Sequence, residues 1–121
     1  MPPQIQIFGV KKSFDTQKAE RFFKERGISY HFVDLKEKSF SPGELKAISE
    51  VVSWEKLIDP TSPVYQKRQM QYLVVDWFEE VLQNPTLVRM PVVRWGKRVS
   101  VGYTPEIWKE WLTSSEHEKR P

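Results

Sequence analysis

Apolar and polar positions alternate at two places in the first third of the chain, with a helical pattern between them. Residues 4–8 and 29–35 alternate with a period of two, which predicts two short strands. Between them, Ala19, Phe22 and Phe23 recur at the spacing of one helix face. A strand, a helix and a strand within about thirty residues predict a βαβ unit, whose strands run parallel through a right-handed crossover.

The helix of this predicted unit has recognisable ends. Asp15 is a suitable N-cap, and Gly27 stands where helices commonly end in the left-handed conformation, which predicts a helix over residues 15–26. In the second strand, the alternation is expected to place Tyr30, Phe32 and Leu35 on one face and His31 and Val33 on the other.

Several short helices are predicted in the middle of the chain. Ser41, followed by Pro42 and Glu44, is typical of a capping box, in which the serine and glutamate side chains each accept the other residue's backbone N–H. The helix that follows is expected to bury Leu45, Ile48, Val51 and Val52. Further helices are predicted over residues 53–57, 64–73 and 75–83, and Asn84-Pro85 ends the last of them.

The C-terminal third predicts a hairpin and one more helix. Residues 92–95 and 98–101 flank Gly96-Lys97, which is typical of a β-hairpin. Thr104 is expected to cap the last helix and Pro105 to open it. The apolar stripe of that helix comprises Ile107, Trp108, Trp111 and Leu112. Residues 114–121 are polar and are expected to form a tail.

This order of elements predicts an α/β protein with a four-stranded mixed sheet and helices on both faces. We expect one domain over residues 1–113, within which residues of about 41–85 form an inserted helical subdomain. A length of 121 residues suits a single domain. The sequence shows neither a secretory signal pattern nor an apolar run of membrane-spanning length, so we expect residence in the cytoplasm.

Composition excludes several kinds of chemistry. The chain has no cysteine, which rules out disulfides, thiolate metal sites and a cysteine nucleophile. Its two histidines, His31 and His117, are far apart in sequence, so we expect no metal and no cofactor. The 19 basic residues are nearly balanced by 16 acidic ones, which favours a mixed solvated surface over a nucleic-acid interface.

Three stretches together resemble the ArsC-like arsenate reductase and Spx family. They are Ile7-Phe8-Gly9-Val10-Lys11-Lys12 leading into Lys18-Ala19, then Leu87 to Val93, and then Lys97-Arg98-Val99-Ser100-Val101-Gly102-Tyr103. The resemblance spans roughly residues 5–112. It implies a thioredoxin-like fold, and Spx-type relatives bind RNA polymerase, which makes RNA polymerase a candidate protein partner.

The same resemblance assigns positions to functional residues, and several differ from the family. The family's reactive cysteine falls at Ser13, and the second cysteine of Spx-type members falls at Thr16. Met90 takes the place of a reductase arginine, and residues 59–62 contain no basic residue where the family has one. Pro91 corresponds to the proline that follows a cis peptide bond beside the active loop of thioredoxin-like proteins.

The residues also suggest where an anion could bind. Lys11, Lys12 and Ser13 precede a predicted helix, whose N-terminus favours negative charge. Asp15 would compete there, so a capped loop with solvated lysines is the alternative. Arg89 and Arg98 belong to a basic cluster around the hairpin, which is either an ordinary charged edge or a surface for an anion or an acidic partner. The candidate oxyanion site therefore comprises Lys11, Lys12, Ser13, Arg89 and Arg98.

Three functions are compatible with this sequence. The first is a cysteine-free relative of the family that acts by binding, and partly exposed Trp77 or Trp95 would suit a protein partner. The second is an arsenate reductase-like oxidoreductase that uses a substrate-borne thiol such as glutathione, with an oxyanion held in the loop before the first helix. The third is a divergent scaffold without a small-molecule site.

Overall fold

The structure, a computed structural model, describes the backbone of residues 4–118 and the side chains of residues 4–113. Its sheet contains β1 (Ile5–Gly9), β2 (Tyr30–Asp34), β3 (Val92–Trp95) and β4 (Arg98–Val101), in the order β2-β1-β3-β4. The β1 and β2 strands are parallel, whereas β3 runs antiparallel to β1 and to β4. The predicted four-stranded mixed sheet, with its βαβ unit and hairpin, is confirmed.

Six α-helices surround this sheet within the described residues. They are α1 (Phe14–Glu25), α2 (Pro42–Val51), α3 (Trp54–Leu57), α4 (Pro63–Arg68), α5 (Trp77–Gln83) and α6 (Pro105–Glu118). Helices α2 to α5 come between β2 and β3, as predicted. The α6 helix continues to Glu118, so it includes residues 114–118 of the stretch expected to form a polar tail, and residues 119–121 lie outside the described residues.

The helix ends follow local capping, with two corrections. The α1 helix begins at Phe14 because the Ser13 hydroxyl, and not Asp15, accepts the backbone N–H of Thr16 at 3.2 Å. Its end at Gly27, which has a φ of 66°, is as predicted. At α6, the backbone carbonyl of Thr104 accepts N–H groups of the first turn, but its hydroxyl has no partner among the described residues.

Among the middle helices, the predicted capping box is confirmed, but one predicted helix is broken in two. The capping box of α2 is complete, since Ser41 Oγ accepts the N–H of Glu44 at 3.1 Å and Glu44 Oε1 accepts the N–H of Ser41 at 2.9 Å. The helix predicted over residues 64–73 breaks at Gln69, where a φ of 51° ends α4 and a 3₁₀ turn at Met70–Tyr72 follows.

Two apolar cores cover the two faces of the sheet. On one face, Phe8 of β1 packs in a cluster with residues of α2, α3 and α5, such as Leu45, Leu57 and Val81. On the other face, residues of α1 and α6 pack against β1 and β3; this cluster comprises Ile5, Ile7, Ala19, Phe22, Phe23, Val93, Trp108 and Trp111. The sheet is therefore enclosed between two helical layers.

Three apolar residues differ from their predicted positions. Leu35 follows the parity of the strand and joins Val33 in the first cluster, so its expected place beside Tyr30 was wrong. Val51 is 55% exposed and Ile107 is 40% exposed, because each stands at the margin of its helix's apolar stripe where no other element covers it.

Candidate functional site

Ser13 lies at the junction between β1 and α1, the position that the family resemblance assigns to a reactive cysteine. Its backbone N–H donates to Val10 O at 3.1 Å, and its Oγ accepts the N–H of Thr16 at 3.2 Å. The loop therefore closes as a turn that delivers Ser13 as the N-cap of α1. One lone pair of the Ser13 hydroxyl is engaged in holding the helix end.

A cleft of about 490 Å³ opens beside Ser13. Loops after β1 and β2, the segment between α3 and α4, and the segment before β3 supply its walls. The lining residues are Val10, Ser13, Asp15, Lys36, Asp59, Thr61, Ser62, Pro63, Thr86, Val88 and Met90. The cis peptide bond between Met90 and Pro91, which the resemblance predicts, lies in the last of these segments.

The charges of this cleft are mainly acidic. Asp15 and Asp59 line it, and Lys36 is the one basic residue among its lining side chains. Asp59 Oδ1 accepts both the N–H of Thr61, at 2.9 Å, and its hydroxyl, at 2.7 Å, which orders the turn opposite Ser13. With two carboxylates and one ammonium, the cleft does not favour an oxyanion.

The structure does not assemble the predicted oxyanion site. Of its five residues, Ser13 lines the cleft, whereas Lys11 and Lys12 are exposed and absent from the lining. Arg89 donates from Nε to Lys56 O at 3.0 Å and lines a different groove. The Arg98 guanidinium lies over the Trp95 ring, 5.3 Å from its centroid, at the hairpin. Val88 and Met90 line the Ser13 cleft, whereas Arg89 between them does not.

Thr16, which corresponds to the second cysteine of Spx-type proteins, is fully buried. It packs against Gly9, where an added Cβ would meet Thr16 Oγ1 at 2.4 Å. Within the described part of the chain, Thr16 Oγ1 has no hydrogen-bond partner. The Thr16 side chain is thus part of the contact between β1 and α1 and does not line the cleft.

Among the described side chains, no imidazole lines the cleft. His31 is exposed on β2 and faces a shallow depression with Gln6 and Arg94, and the side chain of His117 is outside the described residues. Among residues 4–113, no three His, Cys, Asp or Glu side chains are grouped so as to hold a metal ion. Between residues 4 and 118, every helix is too short or too polar to cross a membrane.

The tryptophans divide between packing and partial exposure. Trp108 is fully buried and donates its indole N–H to Ser100 Oγ at 2.7 Å, while Trp111 is nearly buried. Trp77 and Trp95, singled out as candidate partner contacts, are half-buried. Trp77 stacks on Tyr65 with ring centroids 6.3 Å apart.

Sequence reasoning placed Ser13, Met90 and residues 59–62 together through the resemblance, and it missed Lys36, Thr86 and Val88. These three belong to connections that follow β2 or precede β3. Strand order could have located them. The C-terminal ends of the parallel strands β1 and β2 lie at the same edge of the sheet as the start of the antiparallel strand β3.

Comparisons with known proteins agree with this architecture. The ArsC family matches residues 8–111. No curated protein matches the chain. Among solved structures, a protein titled YffB is 22% identical with a TM-score of 0.78, and the match covers 88% of this chain and 97% of that one.

Two further structures have nearly the same similarity. An ArsC-family-related protein from Bacteroides fragilis is 22% identical, with a TM-score of 0.77 over 88% of this chain and 97% of that chain. An arsenate reductase from Vibrio cholerae is 17% identical, with a TM-score of 0.77 over 91% of this chain and 98% of that chain. At these identities the likeness establishes the fold, which is thioredoxin-like. Together with the family match over most of its length, it shows that the chain belongs to the ArsC family, as a member without cysteine.

Proposed function

We propose that this ArsC-family protein performs no thiol chemistry and acts by binding another protein. The observation that carries the proposal is the state of Ser13. Its hydroxyl caps α1 through the N–H of Thr16, in a cleft whose charged lining residues are Asp15, Asp59 and Lys36. The nucleophile's position is filled by a structural hydroxyl.

The chemistry of the hydroxyl supports this reading. A helix N-terminus and nearby cations can ionise a thiol because its ordinary pKa is near neutrality, whereas a serine hydroxyl titrates far higher. A serine nucleophile therefore needs an adjacent general base. Asp15 and Asp59 are the cleft's carboxylates; Asp59 is engaged by Thr61, and no imidazole is present among the lining residues.

The kind of partner follows from charge and from the family. The near balance of acidic and basic residues disfavours nucleic acid, and the acidic cleft disfavours an oxyanion or the carboxylates of glutathione. A protein partner remains, and the analogy with Spx-type relatives makes RNA polymerase the first to test. We place this activity in the cytoplasm, where such a partner resides.

An assay of arsenate reduction tests the proposal. The purified chain is supplied with arsenate, glutathione, glutaredoxin, glutathione reductase and NADPH, and NADPH oxidation is followed. We expect the rate of the control without the chain, because the chain has no cysteine thiolate of its own to attack arsenate. Ser13→Ala is the matched variant. It loses the cap, at a cost of about 1 kcal/mol of stability, and should give the same background rate.

A substrate-borne thiol is the competing explanation, and the same assay separates it. Arsenate reduction above background that is lost in Ser13→Ala would show that the cleft positions a glutathione-bound intermediate, and it would contradict the proposal. Binding of purified RNA polymerase to the immobilised chain is the positive counterpart. Its absence would remove that partner while leaving the absence of thiol chemistry intact.

A further inference from the structure

A second, larger groove of about 870 Å³ runs beside β4, away from the Ser13 cleft. We call it the β4 groove and define it by Val51, Lys56, Arg89, Val99, Val101 and Ile107. Among the described residues, β4 is the last strand in the sheet order and pairs only with β3, so its other edge is open along this groove. An open strand edge at the base of a groove is the form of site that accepts an added strand.

The register of the hairpin shows which backbone groups face the open edge. Gly102 N–H donates to Pro91 O at 2.8 Å, so this is a hydrogen-bonded pair. Hydrogen-bonded and non-bonded pairs alternate along an antiparallel ladder. The pairs Val92↔Val101 and Arg94↔Val99 are therefore non-bonded.

It follows that Val99 and Val101 direct their N–H and C=O groups away from β3 and into the β4 groove. Within residues 4–113, no other hydrogen bond to these backbone groups is found. An incoming extended segment could form four hydrogen bonds with them, two at each valine. Ser100 lies between, and its side chain is engaged by the Trp108 indole on the other face of the sheet.

Two apolar residues that the sequence pattern predicts to be buried are instead exposed in the walls of the groove. Val51 and Ile107 both belong to apolar stripes of their helices, yet they are 55% and 40% exposed, and both line this groove. Two helices thus each leave an apolar residue uncovered beside the same open strand. Departures of this kind from the core pattern are typical of binding surfaces.

The charged residues of the groove indicate which charge a bound segment should carry. Lys56 and Arg89 line it together with Glu55, which leaves an excess of one positive charge. The Arg89 guanidinium donates through Nε to the backbone O of Lys56, which holds the Arg89 side chain beside the Lys56 main chain. A carboxylate on the incoming segment would meet them.

We propose that the β4 groove binds an extended segment of a partner protein by strand addition to β4, with apolar side chains toward Val51 and Ile107 and an acidic residue at Lys56 and Arg89. The inference rests on the proposed binding function and names its contact surface. A second copy of this chain is the less favourable occupant. A two-fold interface would join two linings that each carry an excess of one positive charge, so neither copy would supply the complementary negative charge.

A peptide-display selection on the immobilised full chain tests the proposal, with a library of random twelve-residue peptides as the probe. We expect enriched peptides that alternate apolar residues and carry a carboxylate. Val99→Pro removes an outward N–H that β3 does not use, and edge strands tolerate proline at such positions. It should weaken binding at least about tenfold, whereas the matched Val99→Thr, which retains the N–H, should not.

Two further comparisons keep the result independent of the folding of Val99→Pro. A selected peptide methylated on the amides of its pairing edge should lose binding, while methylation of its other edge should not. Lys56→Glu should weaken binding on the order of fivefold, and Lys46→Glu, an exposed α2 lysine outside the groove, should leave it unchanged.

Three outcomes would overturn the proposal. The first is the absence of any enriched peptide, and the second is peptide binding that persists both in Val99→Pro and after backbone methylation. The third is a wild-type dimer that Val99→Pro dissociates, because that result would assign the groove to a second copy. None of these results bears on arsenate reduction, so failure of the groove and failure of the proposed lack of catalysis are distinguished.

Discussion

Gly9, the last residue of β1, lies directly against the buried side chain of Thr16 in α1. A Cβ on Gly9 would fall 2.4 Å from Thr16 Oγ1 and 2.8 Å from Thr16 Cγ2. The first strand and the first helix therefore approach closely at this point because Gly9 has no side chain. This contact sets where the loop carrying Ser13 leaves the sheet.

Gly9→Ala should destabilise the fold by about 1–3 kcal/mol, the usual cost of overpacking a well-filled core. In a Thr16→Ala background the cost should fall, because the two nearest obstructing atoms are removed. Urea unfolding of the four proteins gives the coupling free energy between the two positions. An equal cost of Gly9→Ala in both backgrounds would show that backbone strain, and not this contact, is responsible.

The ionisation of Tyr30 should depend on Glu20. Burial, and then the hydrogen bond of 3.0 Å to Glu20 Oε1 and its negative charge, raise the pKa of Tyr30 from 10.0 to about 12. Because the folded pKa lies above the unfolded one, the stability from this pair is full below pH 10.0 and is lost as the pH rises toward 12.

Ultraviolet titration of tyrosinate formation, with Tyr30→Phe to identify the Tyr30 component, measures this pKa. Glu20→Gln is the matched variant, since it retains an acceptor but removes the charge. We expect it to lower the pKa of Tyr30 relative to the wild type. An unchanged titration would mean that the charge of Glu20 contributes nothing to the raised pKa of Tyr30.

The capping box of α2 should make stability depend on acid pH. Burial raises the pKa of Glu44, but hydrogen bonds from Ser41 and Gln6 and the charge of Lys38 outweigh it, and the net pKa lies below the ordinary 4.5. A carboxylate with a lowered folded pKa stabilises the fold above its unfolded pKa and loses that contribution as the pH falls through the folded value.

Glu44→Gln retains an acceptor for the cap but has no charge to titrate. The difference in unfolding free energy between wild type and Glu44→Gln should therefore be larger at neutral pH than at about pH 3. Denaturant unfolding at both pH values measures it. A difference that is independent of pH would contradict the assignment of the lowered pKa to the folded state.

Local signals predicted most of the fold, and tertiary contacts account for the exceptions. The Ser41–Glu44 box and Gly27 act within a single helix end, so sequence alone locates them. At α1, Asp15 was the predicted cap, but the turn closed by the Ser13 N–H and Val10 O places Ser13 at the N-cap.

The candidate sites depend on contacts that periodicity does not encode. Helical spacing placed Val51 and Ile107 on apolar stripes, but whether another element covers the margin of a stripe is decided by packing. The same holds for the Ser13 cleft, which Lys36 and Asp59 both line because strand order brings their loops to one edge of the sheet. The resemblance to the family supplied the position of residues 59–62, which composition could not.

On the proposed function, the Ser13 cleft lacks the surroundings that activate a thiol, as well as the thiol itself. Replacing Ser13 by cysteine tests it most directly, with the pKa of the new thiol measured from the pH dependence of its reaction with iodoacetamide. The end of α1 should lower that pKa from about 8.5, and Asp15 and Asp59 should oppose the shift, so we expect a lowering of about one unit at most. Neither Ser13→Cys nor Ser13→Cys with Met90→Arg should reduce arsenate. A thiol pKa several units below 8.5, with arsenate turnover, would contradict the account.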